Sequence, residues 1–165
     1  LTPDLTVFVG TFNRLDTLIG CIGYLSQQRR PTRVVVVDNG SKDAAAINYL
    51  EEISSVGATV YRMPGIDEQP PVEGDERAHG GLGMQAVARN YEEAMRREWE
   101  EQPRPDWYAV CDADTWLDGD NLSLDSYVRI AKRLGRAVGP HLKLNVHRNY
   151  PLRSAALILN ARIMF

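Results

Sequence analysis

The segment "RVVVVDNGSKD", residues 33–43, constrains the fold of this chain more than any other. Four consecutive valines offer no polar face, so a strand built from them must be covered on both sides. The run then breaks into Asp, Asn, Gly and Ser, which are turn-forming residues. Parallel strands need crossover connections, and those crossovers lay helices over both faces of the sheet. One such strand therefore asks for helices before and after it, and for further strands beside it.

The rest of the chain supplies them. "LTVFVG" (residues 5–10) is a second apolar run, closed by Gly. "LDTLIGCIGYLSQQ" sets Leu15, Leu18, Ile19, Ile22 and Leu25 on one helical face. After the valine strand, Ser41 or Asp43 can cap a helix through Val56, with Ile47, Leu50 and Ile53 at helical spacing. "ATVYRM" reads as a third strand, stopped by Pro64. Residues 64–83 then lose all apolar periodicity and carry three Pro and five Gly. A loop of that length in a compact domain is a functional or disordered segment. "MQAVARNYEEAMRREWEE" is a strong helix ended by "QPRPD", and "WYAVC" is a fourth strand. "SLDSYVRIAKRL" is a further helix and "AVGPHLKLNV" a further strand. "SAALILNARIMF" fits strand or helix equally.

The order β-α-β-α-β-loop-α-β-α-β predicts an α/β domain with a mostly parallel sheet and helices on both faces. In such sheets ligands bind beyond the carboxyl ends of the strands. Three loops, "GTFNR", "DNGSKD" and "DADTWLDGD", are expected to converge there. With 165 residues the chain is long enough for one domain with a real core, not two. Its 44% hydrophobic and 25% charged residues are ordinary for a globular protein. There is no apolar run of membrane-spanning length and no signal-peptide pattern. Cys21 and Cys111 lack metal-type spacing and read as buried, reduced thiols, which points to a cytoplasmic protein. Charge is uneven: all 22 acids lie at or before Asp125, and eight Lys or Arg follow without a single acid. That basic tail is either a solvated face or a surface for phosphate-bearing ligands, an acidic partner or the inner face of a membrane.

The acids of "YAVCDADTWLDGD" (residues 108–120) are the main chemical signal. Asp112 and Asp114 leave an apolar strand and project to one side if the backbone stays extended, with small Ala113 between them. A calcium loop fails on register, because starting it at either Asp puts Trp116 at a ligand position. A phosphatase using Asp112 as nucleophile and Asp114 as general acid needs further acids on later strands. None follows Asp125. A D-x-D pair holding Mn²⁺ or Mg²⁺ against a diphosphate remains, since such hard cations prefer carboxylate and phosphate oxygen.

At this point "VFVGTFNR", "VVVVDNGSKD", "GGLGMQAVARN" and "VCDADTWL", in that order, resemble the motifs of GT-A-fold glycosyltransferases of family 2. There the usual forms are V-x-T-Y-N-R, V-V-D-D/N-G-S-x-D, a Gly-rich segment before A-R-N-x-G, and D-x-D after a strand. The resemblance covers about residues 6–122. It implies a Rossmann-like GT-A sheet and one domain over residues 1–165, with residues 6–122 as the nucleotide-sugar-binding core and residues 123–165 as the start of an acceptor-side region. It implies an inverting transfer from a nucleoside-diphosphate sugar, UDP-linked by preference, to a glycan, lipid-linked or other acceptor, with Mn²⁺ or Mg²⁺ as cofactor and no nucleic acid as partner. By the same resemblance Thr11, Phe12 and Arg14 border the base and phosphates, with Phe12 where the family commonly has Tyr. Asp38 and Asn39 read the base, Asn39 standing where Asp is common. Gly81 and Gly83 let the backbone approach the donor, and Arg89 reaches its phosphates or sugar. Asp112 contacts ribose or metal, and Asp114 is the direct metal ligand. Relatives also place a metal-binding His after this strand, for which His141 and His147 are the positions available.

Each residue has a plainer reading. Arg14 starts a helix, Asp38 and Asn39 form a turn, Arg89 pairs with Glu92 or Glu93 on its own helix, and His79 is a loop residue. Asp118 and Asp120 read as turn residues before the next helix. The chain also lacks an evident general base for the acceptor hydroxyl, because no carboxylate follows Asp125. The alternative to a transferase is therefore a non-catalytic or partner-dependent nucleotide-sugar-binding module.

Overall fold

The computed structural model describes residues 5–28, 32–65, 68–69, 84–103, 105–113, 124–134 and 157–160. Five strands, β1 (Leu5–Thr11), β2 (Thr32–Asp38), β3 (Thr59–Arg62), β4 (Trp107–Asp112) and β5 (Leu157–Asn160), form one sheet in the order β3-β2-β1-β4-β5. The first four run parallel, and β5 joins β4 antiparallel at the edge. Helices α1 (Leu15–Ser26), α2 (Ala44–Ser55), α3 (Met84–Glu101) and α4 (Leu124–Leu134) connect them. The α/β, Rossmann-like reading of the sequence holds. The segment that fitted strand or helix equally provides β5, while the strand expected over residues 137–146 lies outside the described residues.

Strand alternation sorts the apolar residues onto two faces. Leu5, Val7, Val9, Val36, Ala109 and Cys111 pack with Leu18, Cys21 and Leu25 of α1, Leu50 of α2, and Leu124, Val128 and Ala131 of α4. Phe8, Val35, Val37 and Tyr108 pack on the other face with Tyr91, Ala94 and Met95 of α3. The valine run thus serves both cores at once, as its lack of a polar face requires. Asp43 is the N-cap of α2, its carboxylate accepting from the Ala46 N–H at 2.9 Å. Cys21 and Cys111 form no disulfide and are buried in one cluster. The neighbouring Cys21 thiol and then burial push the Cys111 thiol well above its ordinary pKa, which keeps it protonated.

On the α3 face, Phe8, Trp99 and Tyr108 meet edge to face, with centroids 5.6–6.5 Å apart. The Tyr108 hydroxyl is buried there and finds no hydrogen-bond partner among the described residues. Burial pushes its pKa up to about 12. Tyr108→Phe removes an unsatisfied polar atom and keeps the ring, so thermal unfolding should occur at the same temperature or slightly higher. A loss of several degrees would mean that the hydroxyl has a partner.

Candidate donor and metal site

The strand order makes one position special. From β1 the chain runs to β2 and β3 on one side and then returns to place β4 on the other. The crevice between the carboxyl ends of β1 and β4 is the topological switch point of the sheet, where ligands of such folds bind. The residues paired there are Gly10 and Asp112. On the other side of β1, Thr11 pairs with Asp38. Asp38 and Asp112 are therefore two strand spacings apart, about 10 Å.

Each loop is fixed by its own polar chemistry. Asn13 follows β1 with a φ of 51°, a left-handed conformation that Asn tolerates. Its Oδ1 accepts from the N–H groups of Lys42 (2.7 Å) and Asp43 (2.9 Å), and its own N–H donates to Ser41 Oγ at 2.8 Å. The "GTFNR" and "DNGSKD" loops are thereby joined. Asp38 is fully buried: Oδ1 accepts from the Ser41 N–H at 3.0 Å, and Oδ2 forms an ion pair with Arg62 Nε at 3.3 Å. Gly40, with φ 82°, lies against the chain after β3; a Cβ there would stand 2.4 Å from Gly65 Cα. Only glycine fits that conformation and that approach.

Asn39 is also buried. Its Nδ2 donates to the Thr11 carbonyl at 3.3 Å, and its Oδ1 accepts from Asn90 Nδ2 at 2.9 Å. Asn90 also donates to the Pro64 carbonyl at 3.3 Å and accepts from Gln69 Nε2 at 3.1 Å. A chain of amides thus ties the ends of β1 and β2 to α3 and to the turn after β3.

Beyond β4, the Ala113 N–H donates to the Gly10 carbonyl at 2.7 Å, carrying the β1–β4 ladder one residue past the strand. Asp112 is half-buried at this edge. The Tyr91 hydroxyl, from α3, donates to the Cys111 carbonyl at 2.9 Å and reaches Asp112 Oδ1 at 3.3 Å. Burial first, then the charge of Asp112, raise the Tyr91 pKa well above its ordinary value and keep the hydroxyl a donor.

The structure thus gathers Thr11, Asp38, Asn39 and Asp112 along the carboxyl edge of β2, β1 and β4. Phe12 is half-buried beside them, and Arg14 is exposed at the N-cap of α1. Arg89 is exposed on α3, one residue before Asn90. Among the described residues it makes no ion pair, and Glu93 pairs with Arg96 and Arg97 instead. Gly81, Gly83 and Asp114 lie outside the described residues, as do His79, His141, His147, Asp118 and Asp120.

Sequence reasoning passed over Asn13, Arg62, Asn90 and Tyr91. For Asn90 and Tyr91 a signal was present. Ala86, Asn90 and Ala94 follow one another at helical spacing, as do Val87, Tyr91 and Met95, so a polar group sits inside the buried stripe of α3.

No protein-family model and no curated protein sequence matches the chain. Solved structures do. The mannosyltransferase PcManGT from Pyrobaculum calidifontis, solved in complex with GDP-Man and Mn²⁺, superposes with a TM-score of 0.60 over 98% of this chain and 46% of that one, at 16% identity. S. aureus TarS superposes as a 1–349 fragment (TM-score 0.54, 16% identity, 90% of this chain and 38% of that one) and as a longer chain (0.53, 17%, 89% and 23%). The chain has a GT-A-like glycosyltransferase fold. It spans less than half the length of each of these structures. In this GT-A-like sheet the bare Gly10 and the carboxylate of Asp112 occupy the switch point. Among the described residues no helix is long and apolar enough to cross a membrane.

Proposed function

We propose that this chain is the donor-binding part of an inverting, metal-dependent glycosyltransferase of the family 2 type. It takes a nucleoside-diphosphate sugar, UDP-linked by preference, and passes the sugar to an acceptor alcohol. The observation that carries the reading is the half-buried Asp112 carboxylate at the β1–β4 switch point of a GT-A-like sheet, paired in register with Gly10. PcManGT, which shares the fold, was solved with a nucleotide sugar and Mn²⁺.

The donor set suits a hard divalent ion. Asp112 and Asp114 would hold it by carboxylate oxygen, and the diphosphate and water would complete its shell. When bound, such an ion neutralises the charge that gathers on the departing nucleoside diphosphate. Thr11, Phe12 and Arg14 would line the base and phosphates. Asn39 would form the wall beside the base, with Asp38 shaping the loop through Ser41 and Arg62. Gly81, Gly83 and Arg89 would lie along the diphosphate and sugar. The acceptor oxygen forms its bond to the anomeric carbon as the bond to the phosphate oxygen breaks, and a base on the acceptor side takes its proton.

Titration calorimetry with UDP, and with GDP for comparison, should give binding that strengthens when Mn²⁺ is added. Asp112→Ala and Asp114→Ala should each remove the Mn²⁺-dependent part, by about 10-fold or more for a lost ligand. Metal-dependent binding that survives unchanged in Asp112→Ala would overturn the reading. Binding without sugar transfer to any acceptor would instead favour the partner-dependent module.

A further inference from the structure

We propose that Tyr91 is a positioning residue that reaches across Gly10 to orient the Asp112 carboxylate for the divalent ion. This rests on the proposed donor site and adds to it a residue that no D-x-D pattern contains.

The single hydroxyl hydrogen of Tyr91 is shared between the Cys111 carbonyl, its nearer acceptor, and Asp112 Oδ1. The Tyr91 ring belongs to the core between α3 and the sheet, packed with Phe8, Met95 and Tyr108. Its hydroxyl does not stop in that core. It passes over β1 at Gly10 and ends on β4, 2.9 Å from the Cys111 carbonyl and 3.3 Å from Asp112 Oδ1. Gly10 makes the passage open: a Cβ at that residue would stand 2.0 Å from the hydroxyl oxygen and 2.8 Å from the ring carbon that bears it. Gly10 and Asp112 are register partners, so hydroxyl, bare backbone and carboxylate form one contact group at the switch point.

A carboxylate at a strand end can rotate about its side-chain torsions and offer either oxygen to a cation. A neutral donor held on one oxygen fixes that rotation without removing the negative charge. Partners of this kind orient metal ligands and contribute markedly to metal affinity. The neighbouring Tyr108, on the same face of β4, supplies a matched control. It is likewise a buried tyrosine of the same cluster, yet its hydroxyl bonds to nothing among the described residues.

The test compares Tyr91→Phe with Tyr108→Phe in the full chain, using UDP or GDP as nucleotide and Mn²⁺ as the varied component. Tyr91→Phe should raise the Mn²⁺ concentration needed for half-maximal nucleotide binding by about 10-fold. Nucleotide binding without metal should stay the same, and so should the metal dependence of Tyr108→Phe. A general packing defect would weaken binding with and without metal alike, so the split separates the two roles. Adding Tyr91→Phe to Asp112→Asn should cause no further loss of metal dependence, because the hydroxyl acts through that carboxylate. Equal Mn²⁺ requirements in Tyr91→Phe and the unchanged protein would overturn the positioning role alone. Absence of any Mn²⁺-dependent binding in the unchanged protein would overturn the donor site and this role together. Should Tyr91→Phe lose its cooperative melt, electron paramagnetic resonance of Mn²⁺ titrated into the unchanged protein and into Asp112→Asn still tests the premise: weaker binding by the variant supports it, and equal binding by the two would overturn it.

Discussion

Glu98→Ala should lower the unfolding free energy by about 3 kcal/mol, the lower end of the cost of breaking a buried ion pair. Glu98 is buried under α3, where Arg33 of β2 bonds both its oxygens and the Tyr61 hydroxyl of β3 donates to Oε2 at 3.2 Å. Arg33 also donates to Thr59 Oγ1 at 2.9 Å, so one carboxylate ties the helix to two strands. Removing it leaves the guanidinium without its counter-charge and the phenol without its acceptor. The Arg33 side chain is 31% exposed and can turn toward water, which is why the lower end of the range applies. Domains of this size unfold with about 5–15 kcal/mol, so the loss is a large share of the total. With a urea slope of about 2 kcal/mol per molar, the midpoint should fall by about 1.5 M. A midpoint within 0.3 M of the original (about 0.6 kcal/mol on that slope) would mean that water replaces the pair without cost. Tyr61 gives a second readout. Burial first, then the Glu98 charge and hydrogen bond, push its pKa from 10.0 up to about 12. A phenol whose folded pKa is raised adds stability below its unfolded pKa and loses it as pH rises through the folded one. That contribution should disappear between pH 10 and 12, and Glu98→Gln should bring the phenol absorbance titration to lower pH.

Glu98 also marks the limit of what the sequence discloses. In "RREWEE" it reads as one more solvent-facing helix charge. Its burial follows from the stripe of Tyr91, Ala94 and Met95, which continues to Glu98 at helical spacing. The valine strand, the amphipathic helices and the turn-rich ends were legible because local periodicity and turn chemistry act over a few residues. From them came the parallel sheet and the convergence of the strand ends. What stayed hidden was pairing between distant polar groups: Arg62 with Asp38, Asn90 with Asn39, Tyr91 with Asp112. These contacts span 24, 51 and 21 residues, and no local pattern encodes them. The edge strand β5 was ambiguous for a related reason. "LILN" has no period of its own, and its pairing with β4 decides its form.

Gly10→Ala should damage stability and site together, and the two effects should separate in a double variant. The new methyl would stand 2.0 Å from the Tyr91 hydroxyl oxygen, well inside contact distance, with Asp112 Oδ1 at 3.3 Å. Tyr91 cannot simply swing aside, because it is buried in the same core cluster as Phe8, Met95 and Tyr108. The clash must be met by a shift of α3 or of the strand end, at a cost of about 1–3 kcal/mol for overpacking a tight site. Either movement displaces the hydroxyl from Asp112, so the Mn²⁺ concentration needed for half-maximal nucleotide binding should rise by about 10-fold or more. Combining Gly10→Ala with Tyr91→Phe removes the oxygen at 2.0 Å and leaves the ring carbon at 2.8 Å as the main conflict. Part of the lost stability should return, read as a partial recovery of the melting temperature relative to Gly10→Ala alone. The Mn²⁺ requirement should stay at least as high as in Tyr91→Phe, because the donor to Asp112 is still missing. Recovery of both would mean that Tyr91 merely occupies space at the switch point. Recovery of neither would place the damage of Gly10→Ala in the β1 backbone itself, whose carbonyl accepts from Ala113 at 2.7 Å, and not in the tyrosine above it.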